Sequence, residues 1–172
     1  MIKFYKISEK QWLKDSTCKV YDASGNEKQV ISKNDQYANI KLPKRATTGS
    51  AGYDMYSPFS FKLEPGEMVH IPLGIKAEMD DRVVLFIVPR SGLGFKYGFQ
   101  LTNTIGVIDS DYFYADNEGH IQAKFRNTLH TTLMINEGDA ICQGIFMNYL
   151  ITDDDDTNGI RNGGFGSTDK KN

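Results

Sequence analysis

The sequence predicts an all-β protein, and three observations carry that reading. Short segments rich in β-branched and aromatic residues recur along the chain, glycine, asparagine and proline separate them, and a single early stretch has the caps and spacing of a helix. The expected architecture is an antiparallel sandwich or barrel of jelly-roll type with one short N-terminal helix. A first strand covers residues 2–5, after which Ser8 caps a helix over 9–14 that turns Trp12 and Leu13 inward. Asp22-Ala23-Ser24-Gly25-Asn26-Glu27 is a hairpin tip between short strands. Further strands follow at 68–72, 83–88, 120–126, 131–135 and 140–150, with Pro65-Gly66, Gly74, Asn117-Glu118-Gly119 and Glu137-Gly138-Asp139 as turns.

Length and charge bound what such a chain can do. At 172 residues it suits one domain, drawn here as a β domain over 1–157, of which 1–40 is an N-terminal extension, and a flexible C-terminal arm over 158–172. A net charge of −2, from 20 basic and 22 acidic residues, gives no field for holding nucleic acid. The apolar run 83–88 is too short to span a bilayer and no export signal opens the chain, so neither a membrane nor a secreted setting is expected, and the location read from the sequence is cytoplasmic. Cys18 and Cys142 form no disulfide framework, and His70, His120 and His130 have no zinc spacing.

The residue types with chemical meaning lie in five stretches. Pro89-Arg90-Ser91-Gly92-Leu93 ends an apolar strand with a cation, a hydroxyl and a glycine, a set that can face a phosphate. The run from Asn103 to Tyr112 has the pattern of a hairpin whose exposed backbone can bond a pyrimidine edge as a strand would. Asp54 follows the small residues of Ala51-Gly52-Tyr53, and Gln143 sits on an otherwise apolar strand, where an amide satisfied by backbone is the plain reading. Asp109, taken alone, is a local turn cap. The tail Arg161-Asn162-Gly163-Gly164-Phe165-Gly166-Ser167-Thr168 cannot build a core; it can close over a ligand with its arginine, ring and hydroxyls. The four carboxylates Asp153 to Asp156 before it form a solvated linker, the hinge of that lid.

In this order, with Gly138-Asp139-Ala140-Ile141-Cys142-Gln143 as the fourth and the tail last, these stretches resemble the motifs of the homotrimeric dUTPase family from about Lys41 to Thr168. The resemblance implies a distorted jelly roll assembled as a threefold trimer whose active sites are shared between subunits, each receiving the tail of another. It implies hydrolysis of dUTP to dUMP and pyrophosphate by Mg²⁺-assisted water attack at the α-phosphorus, which keeps uracil out of DNA and supplies thymidylate synthesis. By the same resemblance Asp109 is the general base; Asn103, Gly106 and Ile108 hold uracil; Tyr112 packs under deoxyribose. Arg90, Ser91, Gly92 and Gln143 serve the phosphates, and Asp54 meets Mg²⁺ through water with no direct protein ligand. Phe165 stacks on the base, while Arg161, Gly166, Ser167 and Thr168 close around the γ-phosphate.

The chain departs from the family pattern in several places. Residues 113–119 are inserted after Tyr112, lengthening the expected hairpin as a surface loop, with a contact for a regulatory protein as the alternative. Ala140 stands where a basic residue is common, Arg161 is one position nearer the phenylalanine, and Asp169 replaces a glycine. Two rival functions follow: a dCTP deaminase on the same fold, which would need a glutamate base, and a purely regulatory module.

Overall fold

The computed structural model describes residues 1–32, 34–161 and 163. In chain order the elements are β1 (Lys3–Lys6), α1 (Glu9–Asp15), β2 (Thr17–Tyr21), β3 (Glu27–Ser32), β4 (Lys44–Arg45), β5 (Tyr53–Tyr56), β6 (Phe61–Leu63), β7 (Met68–Pro72) and β8 (Ile75–Glu78). There follow β9 (Val83–Pro89), α2 (Ser91–Tyr97), β10 (Phe99–Leu101), β11 (Gly106–Ile108), a 3₁₀ turn Ser110–Tyr114, β12 (Gln122–Asn127), β13 (Leu133–Ile135) and β14 (Ala140–Asn148). One five-stranded sheet has the order β10-β12-β7-β2-β3 and the other β11-β9-β14-β5-β4; β1 pairs with β8 and β13 with β6. Every pairing is antiparallel, and neither large sheet closes into a barrel.

Side-chain alternation sets the faces. β2 and β12 alternate buried with partly exposed residues, sending Cys18, Val20, Ala123 and Phe125 inward, as expected for strands with one wet face. β9 is buried almost continuously over Val83-Val84-Leu85, which suits a strand with neighbours on both edges. Residues of both sheets join one apolar core, where Phe99 stacks on Phe125 at 4.4 Å and 9°, a pair worth about 1 kcal/mol beyond its burial.

The N-terminal extension is built into this body. Its β2–β3 hairpin, with the expected tip at Asp22 to Asn26, completes one sheet against β7. Ser8 caps α1 by accepting from the Gln11 N–H, as expected. Trp12 is wholly buried, but Leu13 is 53 % exposed, against the inward placement read from the sequence: consecutive helical positions lie about 100° apart, and the core takes only the Trp12 side. The insertion 113–119 does not lengthen a hairpin either. It folds back on α1, with Glu118 accepting from the Ser8 N–H (2.8 Å) and hydroxyl (2.6 Å) and Phe113 packing on Tyr5 at 5.8 Å. Gly119 makes that fold-back possible, because at φ +69 an added Cβ would sit 2.6 Å from the Tyr112 carbonyl oxygen and 2.8 Å from the Phe113 Cα.

Beneath the insertion, the fully buried His120 accepts the Gly74 N–H at Nε2 (2.9 Å) and places Nδ1 3.0 Å from Asp15 Oδ2. Burial pulls its imidazole below the ordinary 6.5, against the raising contact with Asp15. His70 is shifted the same way, by burial first and by Lys124 and Lys19 after it.

Gly119→Ala should lose more than about 1 kcal/mol of unfolding free energy in urea. Gly25→Ala, at φ +94 but with no atom within 4 Å of the new Cβ, should lose less. The two histidines give a pH dependence whose sign is determined: the unfolded chain takes up their protons near 6.5 while the folded chain resists until lower pH. Stability is therefore complete above 6.5 and falls as pH drops below it, by at most about 1.4 kcal/mol per pH unit for each histidine. The lowered carboxylates Asp22, Glu64 and Glu118 act only below about 4.5, so melts between pH 6.5 and about 5 isolate the histidines. His70→Gln should show a shallower fall there.

Candidate active site

Strand β9 delivers the first group of residues. It ends at Pro89, and Arg90 turns back so that Nε donates to Asp54 Oδ1 at 2.8 Å, Nη2 to Oδ2 at 3.3 Å and Nη1 to the Ala140 carbonyl at 3.2 Å. Register explains the meeting: Gln143 in β14 lies opposite Asp54 on one side and Val88 on the other, so β5, β14 and β9 bring Asp54, Gln143 and Arg90 to one end of the sheet. Gln143 donates to the Pro89 carbonyl at 3.3 Å, the backbone satisfaction expected of it, while also facing the concavity lined by Arg90, Ser91, Gln100 and Thr104. Gly52 leaves room for the Gln143 amide, since a Cβ there would come within 2.1 Å of Gln143 Oε1 and displace the end of that side chain. Cys142, next along β14, is wholly buried, and burial pushes its thiol up to about 12, leaving it inert.

The sequence reading missed α2. Ser91 and Gly92 form its exposed first turn, with Gly94 donating to the Arg90 carbonyl and Gly98 closing the helix at φ +52. Two glycines within seven residues conceal a helix that the half-buried Leu93, packed on the core, helps to hold.

A second concavity, a cavity of about 370 Å³, lies between the sheets and collects Asn103, Gly106, Ile108, Asp109 and Tyr112. The expected hairpin over 103–112 is not formed. β10 pairs with β12 in one sheet and β11 with β9 in the other, so the chain must break at Thr102 to Ile105 to cross between them. Thr104 takes φ +66 in that crossing, an uncommon conformation for a β-branched residue. β11 then runs along the outer edge of its sheet, which among the described residues leaves one side of its backbone without a strand partner. Gly106 fits against β9 with little room, an added Cβ falling 3.1 Å from Ile87 Cβ.

Asp109 precedes the 3₁₀ turn, and its side chain is 50 % exposed at the mouth of the cavity. Tyr112 is buried; its hydroxyl donates to the His120 carbonyl at 2.8 Å and accepts from Asn117 Nδ2 at 2.8 Å, and burial pushes its pKa above 10. Arg161 crosses the opening. Nη2 donates to Asp109 Oδ2 at 2.6 Å and Nε to Asp111 Oδ1 at 2.8 Å, with its guanidinium 5.8 Å from the Tyr112 ring centre. Arg161 thus lies on the Asp109 of its own chain, apart from Arg90 and Ser91. Phe165, Gly166, Ser167 and Thr168 lie outside the described residues.

His70, Gln122 and Lys124 also line this cavity and were not singled out from the sequence. Period-two alternation over 120–126 could have found the last two, which share the polar face of β12, and Lys124 stands directly opposite His70 of β7. Among the described residues no three of histidine, cysteine, aspartate or glutamate gather as a metal cage. Both oxygens of Asp54 are engaged by Arg90, which suits contact with a hydrated cation carried by a ligand better than direct ligation. No helix among the described residues is long and apolar enough to cross a membrane.

The dUTPase family model matches residues 38–169. The deoxyuridine 5′-triphosphate nucleotidohydrolase of Lactococcus lactis is 42 % identical over 134 residues, covering 76 % of this chain and 89 % of the relative. The crystal structure of dUTPase from Streptococcus mutans matches with a TM-score of 0.64 at 32 % identity, over 87 % of this chain and 98 % of the other. A mutant dUTPase from phage phi11 of S. aureus, described with a structural Mg(II) ion, shares the fold at a TM-score of 0.62 and 17 % identity, over 93 % and 98 % of the two chains. With an all-β body that shares the fold of solved dUTPases, a family match over residues 38–169 and a relative 42 % identical over most of its length, the chain belongs to the dUTPase family.

Proposed function

We propose that the chain hydrolyses dUTP to dUMP and pyrophosphate, with Asp109 as general base and the cavity beside it as the nucleoside site. The observation that carries this reading is the convergence of Asn103, Gly106, Ile108, Asp109 and Tyr112 on one cavity of about 370 Å³, within the range of nucleotide-sized pockets. The unpaired edge of β11 offers backbone donors and acceptors to uracil, whose pattern cytosine does not match, so cytosine would leave buried polar groups unpaired. Tyr112 forms the floor against which deoxyribose packs and a 2′-hydroxyl would clash. Asp109 accepts the proton of a water as its oxygen bonds to the α-phosphorus; the bond from that phosphorus to the bridging oxygen breaks, and pyrophosphate leaves with the electron pair. The glutamate base of a deaminase has no counterpart among the residues that line the cavity.

The phosphate residues Arg90, Ser91 and Gln143 line a different concavity from Asp109, and the two linings share Leu101 alone. This separation supports a trimer in which one subunit's phosphate group of residues, with Gly92, faces another's nucleoside cavity. Mg²⁺ arriving on the triphosphate would be held through water by Asp54 and, when bound, supplies neutralisation of phosphate charge. The tail over 158–172 closes the site, Phe165 over the base and Arg161, Gly166, Ser167 and Thr168 near the γ-phosphate. The enzyme acts in the cytoplasm, where it lowers dUTP and supplies dUMP.

Pyrophosphate release measured with dUTP, dCTP, dTTP and UTP should be confined to dUTP, and Asp109→Asn should lower kcat by at least about 10² while leaving nucleotide binding largely intact. Near-normal turnover by that variant would refute the base assignment. Shared sites have a second consequence: Asp109→Asn and Arg90→Ala chains, each inactive alone, should regain about one quarter of wild-type activity when co-assembled in equal amounts, since one site in four then combines two intact halves. No recovery would place a whole site in each chain.

A further inference from the structure

The matched family region begins at residue 38, yet the preceding segment reaches His120, whose carbonyl holds the hydroxyl of the cavity-lining Tyr112. Asp15, the last residue of α1, meets His120 Nδ1 at 3.0 Å and is itself held by Gln11 Nε2 at 2.6 Å. Because His120 Nε2 accepts the Gly74 N–H, its proton must sit on Nδ1 and be donated to Asp15, which orients the ring in one tautomer. The Trp12 ring packs beside that imidazole, 6.3 Å away and tilted at 58°. Residue 120 in turn receives the Tyr112 hydroxyl on its carbonyl, and Asn117, from the insertion, donates to the same hydroxyl. The insertion is bound to the start of α1 by Glu118, which takes both donors of Ser8 and lies 3.8 Å from Lys76.

The N-terminal segment thus ends on the His120 imidazole, and residue 120, through its carbonyl, and Asn117 hold the Tyr112 hydroxyl. We propose that they form a positioning device for the sugar subsite: Asp15 through His120, together with Asn117, holds the Tyr112 ring at the height that excludes a 2′-hydroxyl. The inference rests on Tyr112 acting as the sugar floor. Its physical basis is that the ring is anchored at its backbone by the 3₁₀ turn and at its far end by two hydrogen bonds. Steric exclusion is steep in distance, so releasing the far end lets the ring tilt and admit a ribose without removing the ring itself. Asp15, His120 and Asn117 are accordingly positioning residues and take no part in the chemistry.

The test compares kcat/KM for dUTP and UTP in wild type, Asp15→Ala, Asp15→Asn, Asn117→Ala and Tyr112→Ala. Asp15→Ala and Asn117→Ala should each lower the preference for dUTP about five- to tenfold, whereas a purely structural loss would depress both substrates together. Asp15→Asn keeps an oxygen to accept the Nδ1 proton and should restore most of the preference. Asn117 is only half-buried, so its variant carries the test should Asp15→Ala fail to fold. A wild-type ratio in Asp15→Ala and Asn117→Ala, beside a relaxed ratio in Tyr112→Ala, overturns the proposal and leaves α1 as a stability anchor. An unchanged ratio in Tyr112→Ala refutes the sugar-floor reading itself, and the positioning proposal falls with it.

Discussion

Both concavities depend on the placement of β9. This buried strand hydrogen-bonds β11 along one edge and β14 along the other, and its C-terminal end releases Arg90 and Ser91. One strand therefore sets the height of the backbone edge at Gly106 to Ile108, the position of Gln143 and the origin of the phosphate-facing turn. A one-residue slip of β9 would turn its buried face outward and misplace all three together, so core burial and site geometry are the same constraint. The close approach of Gly106 to Ile87 marks how tightly that constraint is drawn.

A second layer of organisation comes from the segment before residue 38, where the family match begins, and from residues 113–119. The N-terminal segment fills core positions with Ile7, Trp12, Cys18 and Val20 and covers the imidazole of His120, while the insertion is tied back to it through Glu118 and Phe113. A buried histidine with both nitrogens engaged is costly to leave half satisfied, so α1, the Gly74 turn and the insertion are held as one unit. The unit ends at the Tyr112 hydroxyl.

The all-β class, the capped first helix, the β2–β3 tip and most strands were legible because each rests on local signals: alternation, a serine cap, a glycine turn. Nine site residues were legible as motifs, and the fold groups them as Asp54, Arg90, Ser91 and Gln143 on one side and Asn103, Gly106, Ile108, Asp109 and Tyr112 on the other. What failed was non-local. The break at Thr102 to Ile105 arises because adjoining strands join different sheets, α2 is held by tertiary packing despite two glycines, and the fold-back of 113–119 depends on a glutamate meeting a helix start more than 100 residues away. His70 and Lys124 gave no motif because their meaning comes from standing opposite each other across β7 and β12.

The placement of Arg161 bears on how the empty site is held. Asp109 and Asp111 stand together at the cavity mouth, and the guanidinium bridges them, offsetting a repulsion that would otherwise act between two carboxylates on one turn. Asp109 is 50 % exposed and Asp111 54 %, so each pair is screened by solvent and is worth no more than about 1 kcal/mol. A triphosphate carries more charge and offers bidentate oxygens, making it the stronger partner for the same cation. On the proposed reading, release of the arginine to a triphosphate frees the carboxylate to take the proton of the attacking water.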